Sequence, residues 1–261
     1  MKINKVQKIQ LIAIKTIVAK DLKRIFRIWP QTFLPAIITT SLYFLIFGKF
    51  IGSQISNVSG YSYMQYIVPG LVMMAVITSA YTNVVFSYFG SKFQKNLEEI
   101  LVAPVAYPTI ILGFILGGIL RAIITGSLIL IVSMFFTNIM ISHLWAIIFF
   151  MLSTSMMFSL AGLINGIYAK SFDDTAIAAT FVLTPLTYLG GIFYSIHMLP
   201  TFWQSISFAN PILYMINGFR YGFLGVTDVS ILYCALITIT FSIVFFLWAI
   251  YLFKTKRAVR M

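Results

Sequence analysis

The 261 residues are 60% hydrophobic and 16% aromatic but only 9% charged, against about a quarter charged in an ordinary soluble domain. That composition excludes a soluble globular protein and a disordered chain. In a soluble protein the net charge of +12 would suggest phosphate neutralisation on a nucleic acid; here its meaning is topological, and nucleic acid is not an expected partner. Eight of the 18 Lys and Arg stand before residue 30 and four after Phe253, which puts both termini on the cytoplasmic side by the positive-inside rule.

The remaining charges bracket long uncharged runs: 21 residues between Arg27 and Lys49, 42 up to Lys92, 48 between Arg121 and Lys170, 45 between Asp174 and Arg220, and 25 between Asp228 and Lys254. Since a spanning helix needs roughly 20 apolar residues, these runs predict an all-α polytopic membrane domain over 1–261 with six spans, at 29–50, 66–89, 109–136, 144–169, 175–194 and 230–253. Residues 1–28 form an amphipathic helix ahead of the first span. Leu11, Ile14, Val18, Leu22, Ile25 and Trp29 make one stripe, with Lys20, Lys23, Arg24 and Arg27 opposite, the pattern of a helix lying against anionic membrane lipid. A topology anchor and a partner-contacting interfacial helix are both consistent with it.

Between the second and third spans, Phe93, Leu97, Ile100 and Leu101 recur at helical spacing among Lys92, Lys95, Glu98 and Glu99, predicting a short amphipathic cytoplasmic helix that stops before Pro104. It reads either as a solvated connector or as a knob for a cytosolic partner. Arg121 is the one charge expected inside a span, where it costs roughly 2.5–3.5 kcal/mol at the helix centre. It therefore faces protein or water, as a structural pairing or as part of a transport path. Gly113 with Gly117, and Gly162 with Gly166, have the small-residue spacing of close helix contacts. The segment 195–225 is too broken for a plain span and too apolar for a solvated loop, which suits short re-entrant helices.

The chain lacks the residues of several chemistries. No expected span carries an acid, the usual carrier of ion-coupled transporters. Gly113 and Gly118 have phosphate-loop spacing, but Ile119 and Leu120 stand where Lys and Ser or Thr are required. His143, His197 and Cys234 have no companions for a metal site or a nucleophile dyad. No residue is expected to be catalytic and no metal or cofactor is expected in this chain.

The run Leu97-Glu98-Glu99-Ile100-Leu101, then Pro104-Val105 and Gly117-Gly118-Ile119-Leu120-Arg121, resembles the loop and third span of ABC-2-type permeases, the membrane subunits of ATP-driven exporters. The stretch Leu183 to Ile196, followed by Leu199-Pro200, Asn210-Pro211, Tyr214 and Phe219-Arg220-Tyr221-Gly222, resembles the YadH-like bacterial inner-membrane permeases more closely still. The resemblance implies a bacterial inner-membrane subunit that dimerises and docks on separate cytosolic ABC ATPase chains, which bind ATP and Mg. It implies that Lys92, Lys95, Leu97, Glu98, Glu99 and Leu101 belong to a coupling helix, and that Asn210, Pro211, Tyr214 and Arg220 stand at signature positions of an outer re-entrant pair. Where relatives often place a basic residue and Gly-Thr before the paired acids, Lys95-Asn96-Leu97 stand here. A non-transporting membrane anchor for a cytosolic partner is the alternative.

Overall fold

The computed structural model describes residues 5–52, 54 and 57–255; the charges of Lys2, Lys256, Arg257 and Arg260 lie outside them. The described residues fold as eleven α-helices with three short π or 3-10 segments and no strand. Helix α1 (Lys5–Arg27) runs almost directly into α2 (Trp29–Tyr43), which continues as a π-helical segment to Ile51. Next come α3 (Tyr63–Phe93), α4 (Asn96–Val102), α5 (Tyr107–Ser133) and α6 (Leu144–Tyr168). Helices α7 (Phe172–Ala178) and α8 (Thr184–Tyr188) are joined by a π-helical stretch, and α9 (Thr201–Phe208), α10 (Pro211–Leu224) and α11 (Ile231–Lys254) complete the chain.

Local chemistry sets several of these starts. Ser62 and Gln65 satisfy each other's backbone N–H groups in a capping box that opens α3, and Ser171 with Asp174 does the same for α7. The Asn210 side chain accepts from Ile212 N–H, and Pro211 occupies the first turn of α10, where its missing donor costs nothing. That helix ends on Gly225 at φ +70, a left-handed stop that suits glycine.

Five helices among the described residues are long and apolar enough to cross a bilayer: the α2 run, α3, α5, α6 and α11. The stretch expected as a fifth of six spans, 175–194, is instead a helical run of seven, five and five residues from Phe172 to Tyr188 with a π segment inside it. It stops at Gly190–Gly191, where Gly191 takes φ +76, before the sequence turns polar.

Helix α3 is the centre of the bundle. Of its most apolar stretch 78% is buried, against 28% for α2 and for α11, so the outer helices keep a free flank while α3 is enclosed by α5, α6 and α10. Water drives apolar burial in soluble cores but supplies no such drive between helices in lipid, where close backbone approach takes over. A Cβ on Gly162 of α6 would run into the backbone carbonyl of Tyr81 on α3, and one on Gly118 of α5 would run into Ser159 and Val84. The glycine pairs of the sequence are thus contacts within the protomer: Gly113 meets Ile17 of α1, Gly117 meets Asp21, and Gly166 lies against Tyr88 and Val85.

Gly162→Leu should separate α6 from α3 and abolish a monodisperse peak in detergent gel filtration. Gly90→Ala, where an added Cβ meets nothing within 4 Å, should leave the unfolding temperature unchanged or raised, alanine being favoured over glycine by about 1 kcal/mol in a helix.

Candidate functional site

The connector between α3 and α5 begins with a sharp break. Helix α3 ends at Phe93, Lys95 takes a left-handed φ of 61, and α4 then restarts as a seven-residue helix. Leu97 is its anchor, 2% exposed within a cluster that includes Ile17, Tyr88, Ile110 and Phe253. Glu98, Glu99 and Val102 are exposed, and Ile100 and Leu101 are half-buried. Lys92 does not share this outward face: it lies in the last turn of α3, buried, with Nζ donating to the carbonyls of Ile167 at 3.0 Å and Ala169 at 3.3 Å. Its ammonium thus satisfies the open carbonyl end of α6. Phe93, expected on the same short helix, instead packs its ring on Phe89 and Phe172.

The polar centre of the membrane domain involves residues that periodicity alone did not single out. Asp21 of α1, 2% exposed, turns inward toward α3 and α5. Its Oδ1 pairs with Arg24 Nη2 at 2.8 Å and accepts from Ser87 Oγ at 2.6 Å, and its Oδ2 accepts from Asn83 Nδ2 at 2.7 Å. Arg24 Nη2 also donates to Asn83 Oδ1 at 2.8 Å. The buried stripe of α1 is therefore Ile17, Asp21 and Ile25, which shares Ile25 with the expected apolar stripe but is rotated away from Leu11 and Trp29, both of which are exposed. The signal was in the sequence: Asp21 is the one acid before Glu98.

Two concavities lie along α3, and Asp21 and Arg24 line the first of them. A groove of about 990 Å³ lies between α1 and the C-terminal end of α3, with Lys15, Lys20, Lys23, Arg24 and Arg27 among its walls. A second cavity of about 300 Å³ lies between α2, α3 and α5, lined by Thr32, Thr39, Thr40, Thr78, Ser79, Thr82, Thr125 and Arg121. Gly113 of α5 faces Ile17 and Gly117 faces Asp21, so Arg121, one turn further on, comes level with Arg24 and Ile25. Arg121 thus opens onto a hydroxyl-lined cavity, and its Nε is buried without a hydrogen-bond partner among the described residues.

Of the residues expected at signature positions, Pro211 lines a cavity with Tyr81, Phe245 and Trp248, whereas Asn210, Tyr214 and Arg220 are ties. Asn210 Nδ2 donates to Leu186 O at 2.6 Å, and Tyr214 OH donates to Phe208 O at 2.7 Å. Arg220, expected at a signature position of the re-entrant pair, is 1% exposed. Its Nη2 donates to Gly191 O at 2.6 Å, and its guanidinium carbon lies 4.0 Å from the Tyr66 ring centroid. It clamps α10 and the Gly191 turn onto the start of α3. Asp228 closes the same region, accepting from Ser195 Oγ and Ile196 N–H.

Three outcomes follow from these contacts. Asp21→Ala should cost about 3 kcal/mol in detergent unfolding, since it strands a partly buried cation, whereas Ser87→Ala should cost about 1 kcal/mol. Arg220→Met should cost about 1–3 kcal/mol by leaving a buried acceptor unsatisfied, and Arg220→Lys should not restore it, because an ammonium lacks the planar stacking face. The N–H groups of Lys170 and Ser171 hold the Asp174 carboxyl below its ordinary 3.8. The α7 cap is therefore fully formed above the unfolded carboxyl range and lost as pH falls through the lowered value, read as amide exchange at Asp174 that speeds up on acidification below the ordinary carboxyl range by more than pH-corrected intrinsic rates allow.

The ABC-2 type transporter family model matches residues 12–224, a range that includes Asp21, α4, Arg121 and the Arg220 clamp. The chain is 51% identical over 250 residues to the inner membrane transport permease YadH of Escherichia coli K12, covering 95% of this chain and 97% of that protein. It is 24% identical over 189 residues to nodulation protein J of Rhizobium leguminosarum bv. viciae, and 25% over 187 residues to that of Rhizobium meliloti, in each case covering 70% of this chain and 71% of the relative. With a bundle of apolar spanning helices and a family match across most of its length, the chain belongs to the ABC-2 type transporter family, as a membrane permease subunit of an ABC transporter.

Proposed function

We propose that this permease works as a homodimer in an exporter of the bacterial inner membrane, docked through α4 on separate ATPase chains that hold the ATP and Mg. Both termini are cytoplasmic in this reading, and the broken run from Phe172 to Tyr188 makes the fifth of six passages. The observation that carries it is the open stripe of α3. Met74, Thr78, Thr82 and Phe86 stand four residues apart on one flank of α3, with Thr78 and Phe86 exposed and Met74 and Thr82 half-buried; the first three line the Arg121 cavity and Phe86 lines the basic groove. Hydroxyls and a guanidinium facing hydrocarbon are costly, so this flank faces water or a second protein surface. A second copy apposed there encloses a polar path, and movement of the two halves opens it.

Force arrives through α4. Leu97, Glu98, Glu99 and Leu101 combine one buried anchor with an exposed acidic face, and Lys95 supplies the turn that sets this face apart from α3. Lys92 acts behind it by holding α3 to α6.

Purification of the tagged chain from its native membrane in mild detergent should bring down an ABC ATPase in equal amount. Recovery of a folded chain alone would favour the anchor reading. Replacing Glu98 and Glu99 together by Lys should abolish ATPase recovery with permease level unchanged, and undiminished recovery would remove α4 from the contact.

A further inference from the structure

The cavity beside Pro211 is set apart from the polar concavities along α3. It measures about 370 Å³, lies between α3, α6, the broken run, α10 and α11, and shares no lining residue with the Arg121 cavity or the basic groove. Its buried walls include Met157 and Phe158 of α6, Leu183 of the broken run and Ile212 of α10, and no charged side chain is among them. Val182 and Trp248, 55% and 42% exposed, stand at its rim. The mouth therefore opens on the flank of the spanning helix α11, toward hydrocarbon.

One polar atom stands out in this setting. Tyr81 of α3 lines the cavity and is 4% exposed, and its Oη is buried without a hydrogen-bond partner among the described residues. Asn165 of α6 is a polar neighbour on the cavity wall, but its Nδ2 is committed to Thr175 O at 3.1 Å. Apolar walls hold water poorly, and an unpaired buried hydroxyl is costly. From Asn165 the α6 wall continues through Ala161 and Phe158 to Met157, about 12 Å along the helix at 1.5 Å per residue. The cavity is thus a neutral apolar slot with one hydrogen-bonding end, at the small end of the range for ligand sites.

We propose that this slot binds an uncharged single-chain amphiphile taken from the bilayer, its hydroxyl or ester oxygen accepting from Tyr81 Oη and its chain lying along α6. Ala178, Val182, Leu183 and Leu186 make one side of the slot, so an occupant braces the broken run against α6 and α11. The site is independent of the transport reading.

The purified chain in phosphatidylcholine nanodiscs, free of detergent, is labelled with a diazirine-bearing decanol, and the adducts are mapped by peptide mass spectrometry. Adducts should concentrate on residues 157–165 and 178–186, and unlabelled decanol should displace them. At equal mole fraction in the bilayer, decane should compete about fivefold more weakly, the worth of one net hydrogen bond. Decyl sulfate and decyltrimethylammonium should compete at least about tenfold more weakly, because the walls hold no counter-charge. Equal competition by decane or by either ion would overturn the assignment of ligand.

Tyr81→Phe removes the orphaned hydroxyl alone. It should bring decanol down to the level of decane with the unfolding temperature unchanged or raised, and a decanol preference kept in this variant would overturn the role of Tyr81. Ala161→Phe should fill the slot and abolish displaceable labelling, whereas Leu232→Phe, on the exposed face of α11, should change it by less than about twofold. Equal labelling in these two variants would mean partitioning into the surrounding lipid and overturn the site. At ten times its dissociation constant, decanol should slow amide exchange across residues 179–183 by about tenfold, and by less in Tyr81→Phe. Displaceable labelling with unchanged exchange would overturn the bracing of the broken run.

Discussion

The architecture depends on α3 being held by charged and polar ties at three depths. At its start the Arg220 guanidinium lies on the Tyr66 ring and grips the Gly191 carbonyl. At mid-length Asn83 and Ser87 hold Asp21 and Arg24 of α1. At its end Lys92 reaches the last carbonyls of α6. Apolar packing in lipid discriminates weakly between one rotation of a helix and another, whereas an unpaired buried ion or carbonyl is expensive. The ties thus fix which flank of α3 meets its neighbours. As a result, the flank of Met74, Thr78, Thr82 and Phe86 is left facing unfilled space.

Much of this was legible before any coordinates. The charge-free runs and the small-residue spacings gave the class of fold, and the broken text after Tyr194 pointed to short helices, which α9 and α10 supply. What could not be read was rotation. The apolar stripe of α1 through Leu11 and Trp29 is a legitimate amphipathic pattern, yet the helix turns so that Asp21 faces in, because Gly117 on α5 leaves room for a carboxylate and α3 presents an amide and a hydroxyl to receive it. A helical wheel takes no account of what stands on the opposing helix. Lys92 illustrates the same limit: its spacing placed it with the acidic connector, and a left-handed residue three positions later separates the two.

The stretch from Phe172 to Tyr188 escaped the hydropathy argument for a related reason. Its residues are apolar enough for a span, but the π segment at Ala179–Leu183 and the glycines that follow divide the geometry into short pieces. Thr184 turns its hydroxyl back onto the carbonyl of Ala179, five residues earlier, where the widened turn leaves an acceptor. Irregular backbone of this kind is tolerated at membrane depth when protein covers it, and Asn210 supplies part of that cover through the Leu186 carbonyl. Asn210, Arg220 and the broken run are therefore one structural unit.

Helix α4 has a mechanical property of its own. It is joined to α3 through a left-handed residue and rooted by the buried Leu97, with Ile100 and Leu101 packed half-buried on the same cluster, so this seat is the pivot of a lever, and a load on the acidic face is transmitted inward through it. The pivot lies where side chains of α1, α3, α5, α6 and α11 share one cluster. A push delivered there is divided among five helices at once, and those with a free flank, α2's neighbour α1 and the peripheral α11, are the ones with room to yield.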